Sequence, residues 1–487
     1  MTALKQKAVS GIKWSAISQV GRQATQLLTT IILARLLSPS DFGLVGMAMV
    51  VIGFINIFKD LGTAAAVIQR KELSEALLSS IFWVNAGFGA LAMIVLFLIA
   101  PFGGLLYREL RVVAVLQVLS MSFFISGLGI LHQALLERSL SFNSLAKLET
   151  ASVLVGAIVG IGLAFADAGV WSLVFQSLTT AIVATVLLWL LSSWRPQWAF
   201  RWSEVRAISR FSLNLTGYSI FNYFARNADY LLIGRYLGAQ DLGYYTLAYR
   251  ILLFPLQNIT AVIGRVMYPV LSTMQDDNRR FASAYLKVIG AIALITFPLM
   301  TGLLALAEPF VLTFFGQTWR PVILLIMIFA PVGMIQSVGA TVGGIYQVKG
   351  RTDWMFRWGI GSGTLVVIAF LAGLRWGIVG MAVAYAIASF LLSYPSFWIP
   401  FRLVDLKFVQ LLRVLRSSFL NSGLMFVMLV LFIMILPSSL PDVIILLLSV
   451  ILGVAIYTAA TWLTNREQLK ELWDLTGLNR RKLHDSG

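Results

Sequence analysis

The chain has 487 residues, of which 59% are hydrophobic and only 12% are charged, and it contains no cysteine. The missing cysteines exclude disulfides, thiolate metal sites and cysteine nucleophiles. The net charge of +16 comes from Lys and Arg residues scattered between apolar runs, a topology signal that argues against a nucleic-acid partner. Those runs are about twenty residues long, the length of a helix that crosses a hydrocarbon core. The composition therefore predicts an all-α polytopic membrane protein.

Fourteen apolar runs are predicted to be membrane-spanning helices. In chain order they lie near residues 15–37, 42–68, 77–100, 112–136, 149–166, 169–192, 208–237, 242–271, 283–307, 319–345, 356–374, 377–400, 415–436 and 442–464. The first run follows three lysines, but it is too long and too polar for a signal-peptide core. We therefore expect it to remain as the first span.

The distribution of Lys and Arg predicts the orientation of these spans. When the N-terminus is placed in the cytoplasm, 26 of the 37 basic residues fall in segments on the cytoplasmic side. Six fall on the opposite side and five lie inside the spans. This alternation follows the positive-inside rule, so both termini are predicted to be cytoplasmic.

Part of the first two spans recurs 200 residues later. Ile31–Gly43 and Leu231–Gly243 carry Arg, Leu, Asp and Gly at the same four places. Six predicted spans separate the copies, so both have the same orientation, as in a parallel repeat about an axis along the membrane normal. We predict two pseudo-symmetric six-helix lobes plus two extra C-terminal helices. The predicted parts are residues 1–200 (spans 1–6), 201–402 (spans 7–12), 403–464 (spans 13 and 14) and 465–487 (a cytoplasmic amphipathic tail).

The repeated element lies at the predicted external turn after the first span of each lobe. We expect Asp41 and Asp241 to cap the helices that follow, with Arg35 and Arg235 within reach. An external gate is the alternative role for this element.

Five cations lie inside the apolar spans: Arg22, Lys59, Arg226, Arg250 and Arg265. A charge at that depth costs roughly 2.5–3.5 kcal/mol on insertion scales, and such residues usually face a wet cavity or a partner. Only Asp60 and Asp229 are acids at comparable depth. This surplus of positive charge predicts a cationic cavity that binds an anionic cargo.

Polar residues accompany these cations at helical spacing. Candidate polar contacts to a cargo are Gln19 and Gln26 on span 1, Asn222 on span 7, and Tyr249 and Gln257 on span 8. Hydrogen bonds between helices are the alternative role for such stripes. They account poorly for Arg22, which has no acid within a turn of it in sequence.

Three alternatives remain open for the charged residues. Arg226 and Asp229 are three residues apart and could form a structural pair. Lys59 could extend toward the cytoplasmic interface. Asp60 and Asp229 are the candidates for coupling transport to a proton or sodium gradient. No catalytic residue, metal site or cofactor is expected, because a single span-end histidine, His132, cannot form a metal site.

Several segments resemble one transporter family. They are Ser10–Ala16 (SGIKWSA), Leu33–Leu37 (LARLL), Asp60–Gly62 (DLG) and Phe315–Pro321 (FGQTWRP). Together they resemble the Wzx-type polysaccharide flippases of the MOP superfamily, and most closely the colanic-acid exporter branch.

The resemblance implies a two-lobed transporter of the bacterial inner membrane and not an enzyme. Its relatives move an undecaprenyl-pyrophosphate-linked oligosaccharide from the cytoplasmic to the periplasmic leaflet. In related flippases, arginines of the first and eighth spans line the cavity; Arg22 and Arg265 are the counterparts here, with Arg226 and Arg250 as additions. The resemblance also implies a monomer, with membrane lipids and the polysaccharide polymerase and glycosyltransferases of its pathway as partners.

Three other functions compete with this interpretation, and one of them is a passive lipid scramblase. A multidrug transporter, or a carrier of another lipid-linked precursor, would share the architecture, but cationic drugs favour a cavity with surplus acids. A membrane-embedded polysaccharide polymerase or ligase needs a sizeable external loop that carries catalytic residues. The predicted external loops hold about a dozen residues at most.

Overall fold

The computed structural model describes residues 19, 21–59, 67–68, 70, 73–201, 216–437 and 439–466, without the side chains at 58–59, 216–219 and 257–269. The predicted tail over 467–487 lies outside this description. The described residues form α-helices, two short 3-10 helices and no strand, which confirms the all-α class.

Among the described residues, nine helices lie in the first half of the chain. They are α1 (21–36), α2 (Pro39–Lys59), α3 (Glu75–Tyr107), α4 (Arg111–Gly127), α5 (Ile130–Arg138), α6 (Phe142–Phe165), α7 (Val170–Leu191), α8 (Thr216–Arg226) and α9 (Ala228–Tyr236).

Nine more follow in the second half. They are α10 (Ala239–Ser272), α11 (Asn278–Ala305), α12 (Ala307–Phe314), α13 (Pro321–Gly339), α14 (Val342–Val348), α15 (Thr352–Gly373), α16 (Gly377–Phe401), α17 (Phe408–Ile435) and α18 (Asp442–Thr464). The 3-10 helices are Gln317–Trp319 and Leu374–Trp376.

Nine stretches of the described residues are long and apolar enough to cross a bilayer, and the bent pair α4–α5 makes a tenth. One stretch, Thr352–Phe401, has 50 residues and contains two helices, α15 and α16, that pack on each other. A single straight helix of 50 residues would be about 75 Å long at 1.5 Å per residue, which is more than twice a hydrocarbon core of ~30 Å. The two helices of this stretch can therefore each cross the core. The protein is therefore a multi-pass membrane protein, and the total of fourteen spans stays a prediction.

Two predicted spans are not straight helices. The fourth bends by 41° between α4 and α5. The seventh is interrupted at Asn227, which separates α8 from α9. Neither break was predicted from hydropathy, although Arg226, Asn227 and Asp229 make the sequence at the second break polar. The predicted external loop Glu308–Arg320 is also partly helical, because α12 and a 3-10 helix lie within it.

The chain divides into two compact units, Met1–Gly243 and Tyr244–Gly487. In the first, α3 packs on α4, α6 on α7, and α2 on α4. The His132 ring is fully buried there, 4.7 Å from the Trp189 ring and 6.3 Å from that of Phe82. In the second, α11 packs on α13 and α17 around a core that includes Phe281, Tyr285 and Phe401.

An extended segment at residues 192–201 leaves α7 and lies along the start of α3. The backbone N–H of Gln197 donates to the hydroxyl of Ser79 at 3.1 Å, and that of Arg201 donates to Ser80 at 2.9 Å. Both serines are fully buried, and their hydroxyls satisfy backbone donors that have no strand partner. The segment that follows the sixth predicted span is therefore held to the first unit by side chains.

The Ser80→Ala variant tests this anchoring. The variant leaves the Arg201 N–H without its acceptor, which should lower the free energy of unfolding by about 1 kcal/mol. Thermal unfolding of the purified protein in detergent measures the change. Ser393→Ala is the matched control, because the Ser393 hydroxyl bonds only within its own helix, to the carbonyl of Phe390. Equal unfolding temperatures for the two variants would contradict the anchoring role.

Candidate functional site

Arg22 is held by two side chains in the first unit. Its Nη1 donates to Oε2 of Glu149 on α6 at 2.6 Å, and its Nη2 donates to Oε1 of Gln19. The side chains of Arg22 and Glu149 remain 29% and 38% exposed. The guanidinium is therefore paired with a residue distant in sequence but still accessible, which agrees with the lack of an acid within a turn of Arg22.

The sequence interpretation missed Glu149. The two partners are separated by 127 residues, so no short-range spacing connects them. Glu149 is also the first residue of the fifth predicted span, where a carboxylate is readily assigned to the interface. In the structure α6 starts earlier, at Phe142, which places Glu149 seven residues, or about 10 Å, into the helix.

The seventh predicted span contacts the second through an aromatic side chain. The Tyr223 hydroxyl on α8 donates to the carbonyl of Val50 on α2 at 2.6 Å. A Cβ at Gly53 would overlap this hydroxyl, so the glycine admits the tyrosine. Asn222 is half-buried on the same helix, and Arg226 at its end is exposed. Among the described residues, no contact joins Arg226 to Arg22.

Asp229 is buried, with 4% of its surface exposed. It lies in the first turn of α9, and its Oδ1 accepts from the backbone N–H of Tyr230 at 2.9 Å. The positive end of the helix dipole favours a carboxylate at this position. The helix break at Asn227 separates Asp229 from Arg226, and no ion pair joins these two described residues.

Tyr249 and Arg250 lie on α10 in the second unit. The Tyr249 ring stacks on Tyr245 at 6.0 Å and meets the Phe329 ring edge-on at 5.9 Å. Tyr249 is half-buried, whereas Arg250 is exposed and is engaged in a contact of its own. Gln26 is exposed on α1.

Four predicted site residues lie outside the described part of the chain. Asp60 is outside it entirely, and the side chains of Lys59, Gln257 and Arg265 are not described. Their roles stay predictions. The described residues contain no group of three His, Cys, Asp or Glu side chains that could hold a metal ion.

The two copies of the repeated element meet each other at helix starts. A Cβ at Gly43 would overlap the carbonyl oxygen of Ala239, and a Cβ at Gly243 would overlap that of Pro39. Pro39 and Ala239 are themselves equivalent positions of the repeat. The contact is therefore reciprocal, as expected about a pseudo-twofold axis, and only glycine allows the backbones to come this close.

Side chains around this contact stabilise the helix ends. Ser38 caps α2, and Asp41 accepts from the Ser38 backbone N–H at 3.0 Å, which forms a capping box with the carboxylate in the first turn. Arg235 does not pair with Asp241; its Nη1 donates to the carbonyls of Leu105 and Leu106 at 2.9 Å. The expected cap is therefore present with Ser38, not Asp41, at the capping position.

Arg111 joins this region to the turn between α3 and α4. Its guanidinium donates to both carboxylate oxygens of Glu109 at 2.9 Å and to the Ser40 hydroxyl at 3.3 Å. The hydrogen bonds from Arg111 hold the pKa of the Glu109 carboxyl below its usual range. The pair is therefore charged at neutral pH, and its contribution is lost only as the pH falls through that lowered pKa.

Comparison with known proteins places the chain among polysaccharide biosynthesis proteins. Residues 32–324 match the family model described as "Polysaccharide biosynthesis protein". The lipopolysaccharide biosynthesis protein WzxC of Escherichia coli is 28% identical, over 82% of this chain and 81% of its own length. The succinoglycan biosynthesis transport protein ExoT of Rhizobium meliloti is 27% identical, over 98% of this chain and 97% of its own length. The predicted resemblance to Wzx-type proteins is confirmed.

Solved structures share the fold. The lipid II flippase MurJ in an inward closed conformation superposes with a TM-score of 0.76 at 15% identity, over 93% of this chain and 99% of its own. An inward-facing MATE family transporter of the MOP superfamily superposes with a TM-score of 0.63 at 16% identity, over 80% of this chain and 98% of its own. At these identities the likeness concerns the fold alone.

The Gly43→Ala variant tests the helix-start contact. Its methyl group would overlap a backbone carbonyl, so the starts of α2 and α10 must separate. Because the chain has no cysteine, Ala239→Cys provides a single reporter at a position that is 7% exposed. We expect Gly43→Ala to raise the rate at which a maleimide labels this cysteine in detergent by about tenfold, as for a minor open state that becomes dominant.

Gly87→Ala is the matched control for this experiment. A Cβ at Gly87 meets nothing within 4 Å, so the substitution changes the same atoms without an overlap. Labelling that is equally slow in the Gly43→Ala and Gly87→Ala backgrounds would contradict the proposed contact.

Proposed function

Because the chain belongs to the polysaccharide biosynthesis protein family, we propose that it is a flippase for an undecaprenyl-pyrophosphate-linked oligosaccharide. It would move this repeat unit from the cytoplasmic to the periplasmic leaflet of the bacterial inner membrane. The fold shared with a lipid II flippase supports a lipid-linked cargo. The sequence relatives, named for lipopolysaccharide biosynthesis and succinoglycan transport, support a polysaccharide precursor as its sugar part.

The observation that carries the proposal is the accessible guanidinium of Arg22 inside an apolar span. Arginine binds phosphate through paired N–H donors in a fixed plane, which suits a pyrophosphate that must leave water. Only two of its five N–H groups are engaged by described side chains. No described residue engages the remaining donors, and these would bind the anionic headgroup. Arg226, Arg250, Arg265 and Lys59 would add positive charge to the same cavity.

Sugar hydroxyls and the lipid tail need different surroundings. Amide and aromatic side chains such as Gln19, Asn222 and Tyr249 would hydrogen-bond or stack against the sugars. The polyprenyl tail would remain in lipid. Alternating access would expose the cavity to each side in turn.

Transport of a fluorescent undecaprenyl-pyrophosphate-linked sugar in proteoliposomes tests this function. We expect Arg22→Gln to slow flipping by at least about tenfold, because a hydrogen bond to a charged group contributes roughly 1.5–3 kcal/mol. Arg22→Lys should restore only part of the rate, since lysine cannot bind bidentately. A membrane-impermeant quencher measures the fraction of label in each leaflet.

Arg375→Gln is the charge-matched control for this assay. Arg375 is exposed in a 3-10 helix on the predicted external side, so its loss should leave flipping unchanged. Normal flipping by the Arg22→Gln variant, with insertion comparable to the wild type, would contradict the cationic cavity.

Coupling to an ion gradient is assigned to Asp229 and Asp60. Asp229 is a buried carboxylate in the helix that follows a break in the seventh span. We expect a proton or sodium gradient to accelerate flipping by the wild type and to have no effect on Asp229→Asn, whose amide oxygen still accepts from Tyr230. Flipping by the wild type that ignores both gradients would exclude this role.

A further inference from the structure

The contact between Arg22 and Glu149 has features of an exchangeable pair. It uses a single guanidinium nitrogen and a single carboxylate oxygen, 2.6 Å apart. Both side chains are about one-third exposed, at 29% and 38%. Ion pairs that remain in contact with solvent contribute little net stability. A competing anion can therefore reach Arg22 and take the place of Glu149 without leaving the guanidinium alone.

An anionic headgroup would compete with Glu149 for the same guanidinium. Two anions on one arginine would lie within a few ångströms of each other and repel. A pyrophosphate can occupy Arg22 bidentately, whereas Glu149 engages it through one nitrogen. Gln19, the other partner, is neutral and imposes no such repulsion.

The position of the pair suits a headgroup that enters from the predicted cytoplasmic side. Glu149 lies about 10 Å into α6, measured from its first residue at Phe142. A guanidinium left alone at this depth would be costly. Glu149 removes that cost while no cargo is bound.

We propose that Glu149 is the resident counter-ion of Arg22 and that the anionic headgroup of the cargo displaces it. Glu149 thereby lowers the affinity for the bound headgroup and favours its release. This inference rests on the proposed function, because it takes the pyrophosphate of a lipid-linked cargo as the competing anion.

Equilibrium binding of radiolabelled undecaprenyl pyrophosphate to the full-length protein in phosphatidylcholine nanodiscs tests the inference. Phosphatidylcholine has no net charge, so no anionic lipid in these nanodiscs competes with the probe for Arg22. We expect Glu149→Gln to tighten binding by about fivefold or more, the lower end of typical coupling between two sites. Arg22→Gln should weaken binding, and Glu149→Gln should have no further effect in the Arg22→Gln background.

Glu137→Gln is the matched control, because the Glu137 carboxylate accepts from Gln133 and does not contact Arg22. It removes the same charge from the same unit and should leave affinity unchanged. Thermal unfolding without ligand checks that each variant is folded. If the Glu149→Gln variant is not folded, Glu149→Asp replaces it. The shorter side chain should reach Arg22 less well and should therefore also tighten binding.

The outcomes separate this inference from the function on which it rests. If the wild type binds the probe and Arg22→Gln weakens binding while the folded Glu149 variants bind like the wild type or more weakly, the counter-ion role is wrong and the lipid-linked cargo stands. If the same tightening appears for Glu137→Gln, the effect is one of net charge and the specific role is overturned. If the wild type does not bind the probe, the proposed function fails and the inference fails with it.

Discussion

A guanidinium inside a membrane helix needs a partner, and in the first unit this requirement is met at Arg22. Glu149 supplies the compensating charge from α6, while Gln19 supplies a neutral acceptor one turn away. The pair is neither dry nor bidentate, so it satisfies the charge without sealing the guanidinium from other anions. A charge stabilised in this way can remain in a membrane helix and still bind cargo.

The backbone around this charge is more symmetric than the charge itself. Gly43 and Gly243 make reciprocal contacts with Ala239 and Pro39, which are equivalent positions of the 200-residue repeat. In contrast, Asn222 occupies the position equivalent to Arg22. Close packing of the two copies needs a small residue at both Gly43 and Gly243. An anionic headgroup that binds off-centre has no need of an arginine at both Arg22 and its equivalent, Asn222.

Hydropathy predicted the all-α class and the repeat identified the two equivalent turns, because both leave a signal in the local sequence; the contact between these turns was not predicted. The break at Asn227 and the bend between α4 and α5 were not predicted. Arg226 and Asp229 were interpreted as neighbours on one continuous helix, whereas the helix is interrupted between them. Arg22 could be identified from the sequence because the free-energy cost of a charge inside an apolar run is evident from the neighbouring residues alone. Its partner Glu149 could not, because 127 residues separate the two and only the packing of α1 on α6 brings them together.

The central claim is that this chain moves a lipid-linked oligosaccharide out of the cytoplasmic leaflet. Deletion of its gene, followed by mass spectrometry of the extracted lipids, tests that claim most directly. The account predicts that completed undecaprenyl-pyrophosphate-linked repeat units accumulate and that the exported polysaccharide disappears. Loss of polysaccharide without any accumulated lipid-linked intermediate would contradict it, because the chain would then act before the repeat unit is complete.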